Sequence, residues 1–373
     1  MPGPCVLRVR SHAQAAGFLL WLLAVVCWLA GCTVQPAAPV PGTQDKLADY
    51  ARVAGAIRSR YDQALPSLPL SKQRHYAQRL YRLTGESRYL PIIRAHGQRL
   101  LSRIDAEIQA LGVPGHAERR AAESLAAYPV RTQKQRRRKQ MRARWGQVIY
   151  AENLVFDLVQ AKYHGLLNNE ALPGHQRALD YLAGVDFRSF VLDPGVLAVY
   201  AAQVANLTYY LHGLGIIDLR RDVIAAFRRK YPPQRDRLLT DAEYRNKIYG
   251  MTHFVIAASD YYQKPVSAGE FRWVLDEFEA SVDQILARTK EDIYTEVGIS
   301  FLLAGQARHP VVTRLRDELV GAFDPAAQMI PSEQGETDLA AGEHRNVLAI
   351  MLLDWPGQLH PGPVLDPRLL HAQ

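Results

Sequence analysis

The chain is 373 residues long, 48% hydrophobic, with a formal charge of +8 and three cysteines. That apolar share supplies a core and excludes global disorder, and so modest a charge excess does not by itself indicate nucleic acid. Cys5, Cys27 and Cys32 all fall within the first 32 residues, which leaves the body without a disulfide or a thiolate metal site.

The chain opens with Arg8 and Arg10, then an apolar run from Ala15 to Ala30, then Leu29-Ala30-Gly31-Cys32. This order resembles a bacterial lipobox. The resemblance implies cleavage after residue 31, a diacylated Cys32, and loss of both leader arginines. Thr33, in place of an aspartate, implies the outer membrane as the address. An uncleaved membrane anchor is the other reading of the same run, which is near the lower length limit for spanning. Residues 32–45, rich in Pro, Ala and polar groups, read as the lipidated cysteine and an extended tether to a body spanning 46–373.

From Lys46 the chain is one helical pattern after another. The first covers about 46–64 and stops at Pro66 and Pro69; a second runs from Ser71 to Leu83, and a third from Arg88 to Leu111. The joint YRLTGESRYLPII resembles the helix-turn-helix joint of α/α toroids. Residues 131–144 hold a basic insertion with Arg131, Lys134, Arg136, Arg137, Arg138, Lys139, Arg142 and Arg144. It reads as a solvated face, or as a surface for an anionic envelope component or an acidic protein partner. No aromatics interleave it, so a nucleic-acid partner is not expected.

Hairpins then recur. Trp145 to Gly165 pairs with about 175–190, Val196 to Leu214 with Ile217 to Lys230, and Asp241 to Tyr262 with Ser267 to Arg288. Glu291 to Gly305 pairs with His309 to Phe323, and a polar loop leads to Glu343–Trp355. Ser267 and Glu270 read as a capping box. One helix of each pair is amphipathic; the other is apolar or small-residue throughout, preceded by a polar anchor. The anchors Glu152, Gln203, His253, Glu296 and His344 lie 43 to 51 residues apart. With the hairpin from Ser71 to Leu111 this makes about six units, and the pattern resembles the (α/α)6 toroid superfamily. An open α-solenoid is the rival, disfavoured because the last helix reads VLAIMLLDW rather than as a polar cap. The chain also resembles an uncharacterised bacterial lipoprotein family, a domain of unknown function with an HRNVLAIMLLDWPG-like closing segment.

In a toroid the parallel inner helices bring their N-terminal polar residues to one mouth, where helix dipoles favour anions. The candidate catalytic residues are His253, Glu296, His344, Arg345 and Glu152, with Tyr249, Tyr294, Gln203 and Asn346 as candidate ligand-binding residues. His253, Glu296 and His344 could hold a divalent metal, but no HxH or HExxH spacing supports this, and no cofactor is expected. There is no GxSxG and no Gly-rich phosphate loop. The expectation is an outer-membrane-anchored, periplasm-facing lipoprotein that binds or processes a cell-envelope glycan or similar polar ligand. If it is an enzyme, it is a hydrolase, lyase or epimerase-like toroid. The alternative is a non-enzymatic scaffold that holds a partner through the basic segment and the rim.

Overall fold

The helix ends show why these segments fold as they do. Thr132 and Thr240 each close a capping box, with Gln135 and Glu243 three residues on. Asp193 and Asp338 cap from their side chains, the first with Pro194 at the opening helical position. Gly85, at φ +70°, ends the helix before it in the left-handed conformation that glycine adopts without cost.

The computed structural model describes residues 43–370, and the body from Leu47 onward forms one unit. The expectations for Cys32, the leader 1–31 and the tether up to residue 42 lie outside the described residues. The first half of the body contains α1 (Thr43–Ala64), α2 (Leu70–Thr84), α3 (Leu90–Ala110), α4 (His116–Ala126), α5 (Gln133–Arg142), α6 (Gln147–Tyr163), α7 (His175–Ala183) and α8 (Phe187–Leu192). The second half contains α9 (Pro194–Gly213), α10 (Arg220–Lys230), α11 (Asp241–Ala258), α12 (Arg272–Ala280), α13 (Val282–Arg288), α14 (Glu291–Leu303), α15 (Pro310–Ala322) and α16 (Leu339–Leu353). The fold is all-α: the described residues contain no strand, only one isolated bridge between Asp324 and Met329. None of the described helices is long and apolar enough to cross a membrane.

Packing follows the repeat. Helix α9 lies against α11, α11 against α14, α14 against α16, and α16 against α2; α2 then packs on α3, α3 on α6, and α6 on α9. The order of neighbours thus returns to its start. The amphipathic partners α10 and α15 cover α9 and α14. The C-terminal segment crosses one end of this arrangement. His360 N donates to Arg82 O (2.7 Å), Leu365 N to His164 O (2.9 Å) and Gly362 N to Gln263 Oε1 (3.2 Å). It thereby ties together the ends of α2, α6 and α11.

Several boundaries differ from the expectation. The first helix begins at Thr43, inside the expected tether, and α16 begins at Leu339 because Asp338 caps it. The 267–288 helix starts only at Arg272; Ser267 accepts from Glu270 N (3.4 Å) in a preceding turn, without the reciprocal bond of a capping box. Helix α9 is kinked at Tyr200 (φ −138°, ψ 26°). Asn246 of α11 causes this: its Nδ2 donates to Leu197 O (2.9 Å) and its Oδ1 accepts from Ala201 N (3.4 Å). Those are the two groups that a regular helix pairs with each other.

Helices α9 and α11 approach closely because α11 carries Gly250. A Cβ there would lie 2.8 Å from Ala201 Cβ and 2.9 Å from Phe227 Cε2, both in buried side chains. Gly250→Ala is therefore expected to destabilise the chain by about 1–3 kcal/mol, the cost of overpacking. A urea midpoint lowered at unchanged slope would show it.

Candidate functional site

Three of the sequence anchors converge. His253 Nε2 lies 3.6 Å from Glu296 Oε2, and His344 Nε2 lies 3.7 Å from Glu296 Oε1. One carboxyl from α14 therefore faces imidazoles from α11 and α16, on opposite oxygens. Both separations are too long for hydrogen bonds, and neither Nε2 has a hydrogen-bond partner among the described residues. Further contacts extend this triplet into a line. His253 Nδ1 is 2.9 Å from Asn206 Oδ1 on α9. On the other side His344 Nδ1 is 3.3 Å from His75 Nε2 on α2, and His75 Nδ1 is 2.6 Å from Glu343 Oε1. The run Asn206–His253–Glu296–His344–His75–Glu343 thus strings three imidazoles, two acids and an amide across five helices.

Burial sets the charge state of this line. Glu296 is 1% exposed, and desolvation pushes its carboxyl up to about 8. Desolvation also lowers His253 to about 3 and takes His75 and His344 well below the ordinary imidazole range. At neutral pH the acid is protonated and the imidazoles are neutral. The hydrogen bonds agree with this. Thr252 Oγ1 lies 2.7 Å from Glu296 Oε2 and donates to Tyr249 O (3.0 Å). A hydroxyl has one proton to give. With that proton on the carbonyl, a protonated Glu296 can donate to Thr252, while the facing Nε2 atoms of His253 and His344 stay without a partner. Asn206 Oδ1 accepts from His253 Nδ1, which leaves Nε2 as a lone pair aimed at Glu296. A neutral acid beside neutral bases is the arrangement that general acid–base chemistry uses.

A left-handed turn completes the surroundings. Asp260, Tyr261 and Tyr262 have φ of +52°, +56° and +71°, three consecutive non-glycine residues in a region that costs roughly 1–2 kcal/mol each. The turn ends α11 at Ala258, whereas the sequence pattern ran on to Tyr262. It is held by Ser259, whose Oγ accepts from Tyr262 N (2.8 Å), and by Arg82, which donates to Tyr261 O. It sets the Tyr261 ring 6.4 Å from that of His253 and the Tyr262 ring under Arg79. Tyr249 packs edge-on against His253 at 4.4 Å.

Glu152 and Gln203 belong to an adjoining cavity of about 220 Å³, lined also by Tyr200, Asn206, Tyr210 and Tyr261. Asn206 and Tyr261 are common to this cavity and to the surroundings of His253. The kink in α9 turns Tyr200 into the cavity, where Arg142 donates to Tyr200 Oη (2.9 Å) and to Glu152 Oε2 (2.8 Å). Arg138 lies over the Tyr200 ring and donates to Gln203 Oε1 (3.3 Å). The basic segment is thus only partly a solvated face. It forms α5, buries Arg142 and sends Arg138 inward, while Arg131, Arg136 and Arg137 stay exposed.

Three candidates do not face the centre. Asn346 is buried, accepts from Ile330 N (2.8 Å) and donates to Ile330 O and Gly342 O (both 3.0 Å), which pins the 324–338 loop to α16. Arg345 donates to the same Ile330 carbonyl (3.1 Å). Each step along a helix turns about 100°, so Arg345 and Asn346 point away from where His344 points. Tyr294 is likewise elsewhere, buried in the field of Glu291, Glu318 and Arg345. Lys247, another polar residue opening an inner helix, faces outward to Asp236 and Glu277. Among the described residues no group of three or more His, Cys, Asp or Glu is arranged to hold a metal ion.

His75, Arg79 and Glu343 are central yet were not picked as site residues. The anchor rule applied to the second hairpin would have reached His75 in SKQRHYAQRL, but the segment's basic character reads as an outer helix.

These features define an all-α body with a buried line of acids and imidazoles. The chain belongs to a family described as a domain of unknown function, DUF3541, whose model matches residues 50–369. No curated protein and no solved structure matches it.

Proposed function

We propose that the chain is an outer-membrane-anchored, periplasm-facing lipoprotein whose helical hairpins form an (α/α)6 toroid that binds and processes a cell-envelope glycan. The lipobox-like leader supports the address, and the return of α16 onto α2 supports the ring. The observation that carries the chemistry is Glu296, buried between two imidazoles whose facing nitrogens lack partners. The protonated carboxyl gives a proton to a leaving oxygen, and a neutral imidazole takes one from the substrate or from water. Hydrolysis, elimination and epimerisation all use such a pair. Tyr261 and Tyr249 beside His253 supply ring faces for a sugar. The scaffold alternative is weaker, because Arg138 and Arg142 are spent on Gln203, Glu152 and Tyr200.

The test incubates the full chain, in detergent micelles, with fractionated bacterial cell-envelope glycans and analyses the products by mass spectrometry. The expected result is a new glycan species that is lost in His253→Ala and His344→Ala variants of unchanged melting temperature. Variants that unfold instead, with no wild-type product or retained glycan, would place these histidines in the core.

A further inference from the structure

Helix α2 carries three guanidinium groups toward the centre, and among the described residues none has a carboxylate within ion-pair distance. Arg74 Nη1 donates to Gln78 Oε1 (3.2 Å), and Arg82 donates to the carbonyls of Tyr261 and Gly362. Arg79 is the most isolated. It is only 8% exposed, its Nη1 donates to His75 O (3.3 Å), and its guanidinium lies 5.4 Å from the Tyr262 ring centroid. Its Nε has no hydrogen-bond partner. Arginine keeps its charge in proteins, and a buried charge without a counter-charge is costly to hold. Among the described residues neither acid of the line lies within ion-pair distance of Arg79. Glu296 is protonated at neutral pH, and Glu343 is pushed up by burial, sits against His75, and has Lys72 3.5 Å away. Arg79 is one helical turn from His75, which reaches His344 and through it Glu296. The missing counter-charge therefore belongs within reach of the acid–base line.

We propose that this centre recognises an anionic sugar, with Arg79 binding its carboxylate or phosphate and Arg74 flanking it. The proposal rests on the glycan reading above and narrows it to acidic residues of the glycan. A guanidinium matches either oxyanion through parallel N–H donors, and the Tyr262 face beneath holds it flat. The ligand's negative charge also favours keeping the neighbouring carboxyl neutral, so bound substrate and proton donor reinforce each other.

The experiment titrates the full chain, in detergent micelles, with D-glucuronate, D-glucose 6-phosphate and D-glucose, followed by ligand-observed NMR. At least one anionic sugar is expected to bind about tenfold or more tightly than glucose, the scale of a charge-assisted pair. The better of the two identifies the charged group. Arg79→Gln is expected to abolish that preference, and Arg74→Gln to reduce it by a smaller factor. Equal binding of all three sugars, unchanged in Arg79→Gln, would overturn the anionic inference and leave the glycan reading standing. No binding of any sugar by the folded wild type would overturn both. Should Arg79→Gln fail to fold, Arg74→Gln and added salt decide: a preference that neither weakens refutes the proposal.

Discussion

Lys247→Ala is expected to lower stability by about 3–5 kcal/mol, the largest effect of any single substitution discussed here. Lys247 is 0% exposed, yet its Nζ lies 2.6 and 2.8 Å from the two oxygens of Asp236 and also contacts Glu277. It stands on α11 and ties that helix to the 3₁₀ segment Pro233–Leu238 and to α12. Removing the ammonium leaves two carboxyl groups facing each other with no cation. Burial pushes the Glu277 carboxyl up, and Lys247 is what opposes that. The loss is therefore expected to shrink at acid pH, where the orphaned acids take up protons. A triple variant with Lys247→Met, Asp236→Asn and Glu277→Gln should recover much of it, because three neutral groups need no counter-charge. Urea denaturation at neutral and acid pH checks this; a loss below about 1 kcal/mol at pH 7 would show that the triad does not hold α11 in place.

The second large effect concerns Glu296→Gln, which is expected to abolish the proposed glycan processing while flattening the alkaline side of the stability profile. Glu296 has a folded value of about 8 against an ordinary value of 4.5. A raised carboxyl contributes stability that is fully present below its unfolded value and is lost as pH rises through its folded value. The buried histidines act in the opposite sense. His253 and His96 at about 3, and His164 at about 4, contribute stability that is present above the unfolded value of 6.5 and lost as pH falls through the folded values. His75 and His344 are lowered in the same direction. Below pH 6.5 the histidines outnumber Glu296, so acidification destabilises. Between 6.5 and 8 the histidines are neutral in both states, and Glu296 alone of these groups still titrates between them. Wild type is expected to lose roughly 2 kcal/mol over that interval, at about 1.4 kcal/mol per pH unit, and Glu296→Gln to lose almost none of it. Parallel curves for the two proteins would show Glu296 already ionised at neutral pH.

What the sequence made legible was periodicity, and what it hid was direction. The recurrence of apolar helices behind polar anchors is enough to place His253, Glu296 and His344 on inward faces, because those helices are buried on every other side. It does not resolve the polar run Glu343–Asn346, which divides in two: Glu343 and His344 meet His75, while Arg345 and Asn346 hold the Ile330 loop. Lys247, at the opening of α11, likewise turns away from the centre, toward Asp236 and Glu277. The basic run at 131–144 carries no sign that Arg142 would be buried, since its partners Glu152 and Tyr200 are brought to it by tertiary contacts and by a kink whose cause, Asn246, is over forty residues away. The left-handed turn at Asp260–Tyr262 lacks the glycine that marks such backbone, so the helix pattern ran through it. Arg79 was masked by a helix whose other face is equally polar.

A neutral carboxylic acid stands between two uncharged imidazoles where α11, α14 and α16 meet. Side-chain ¹³C NMR of glutamate-labelled full-length protein, with Glu296→Gln identifying the resonance, measures this directly across the pH range. The Glu296 carboxyl is expected to titrate at about 8, with the His253 and His344 rings still neutral at pH 6. A carboxyl already ionised at pH 6, beside imidazoles that carry protons there, would contradict it.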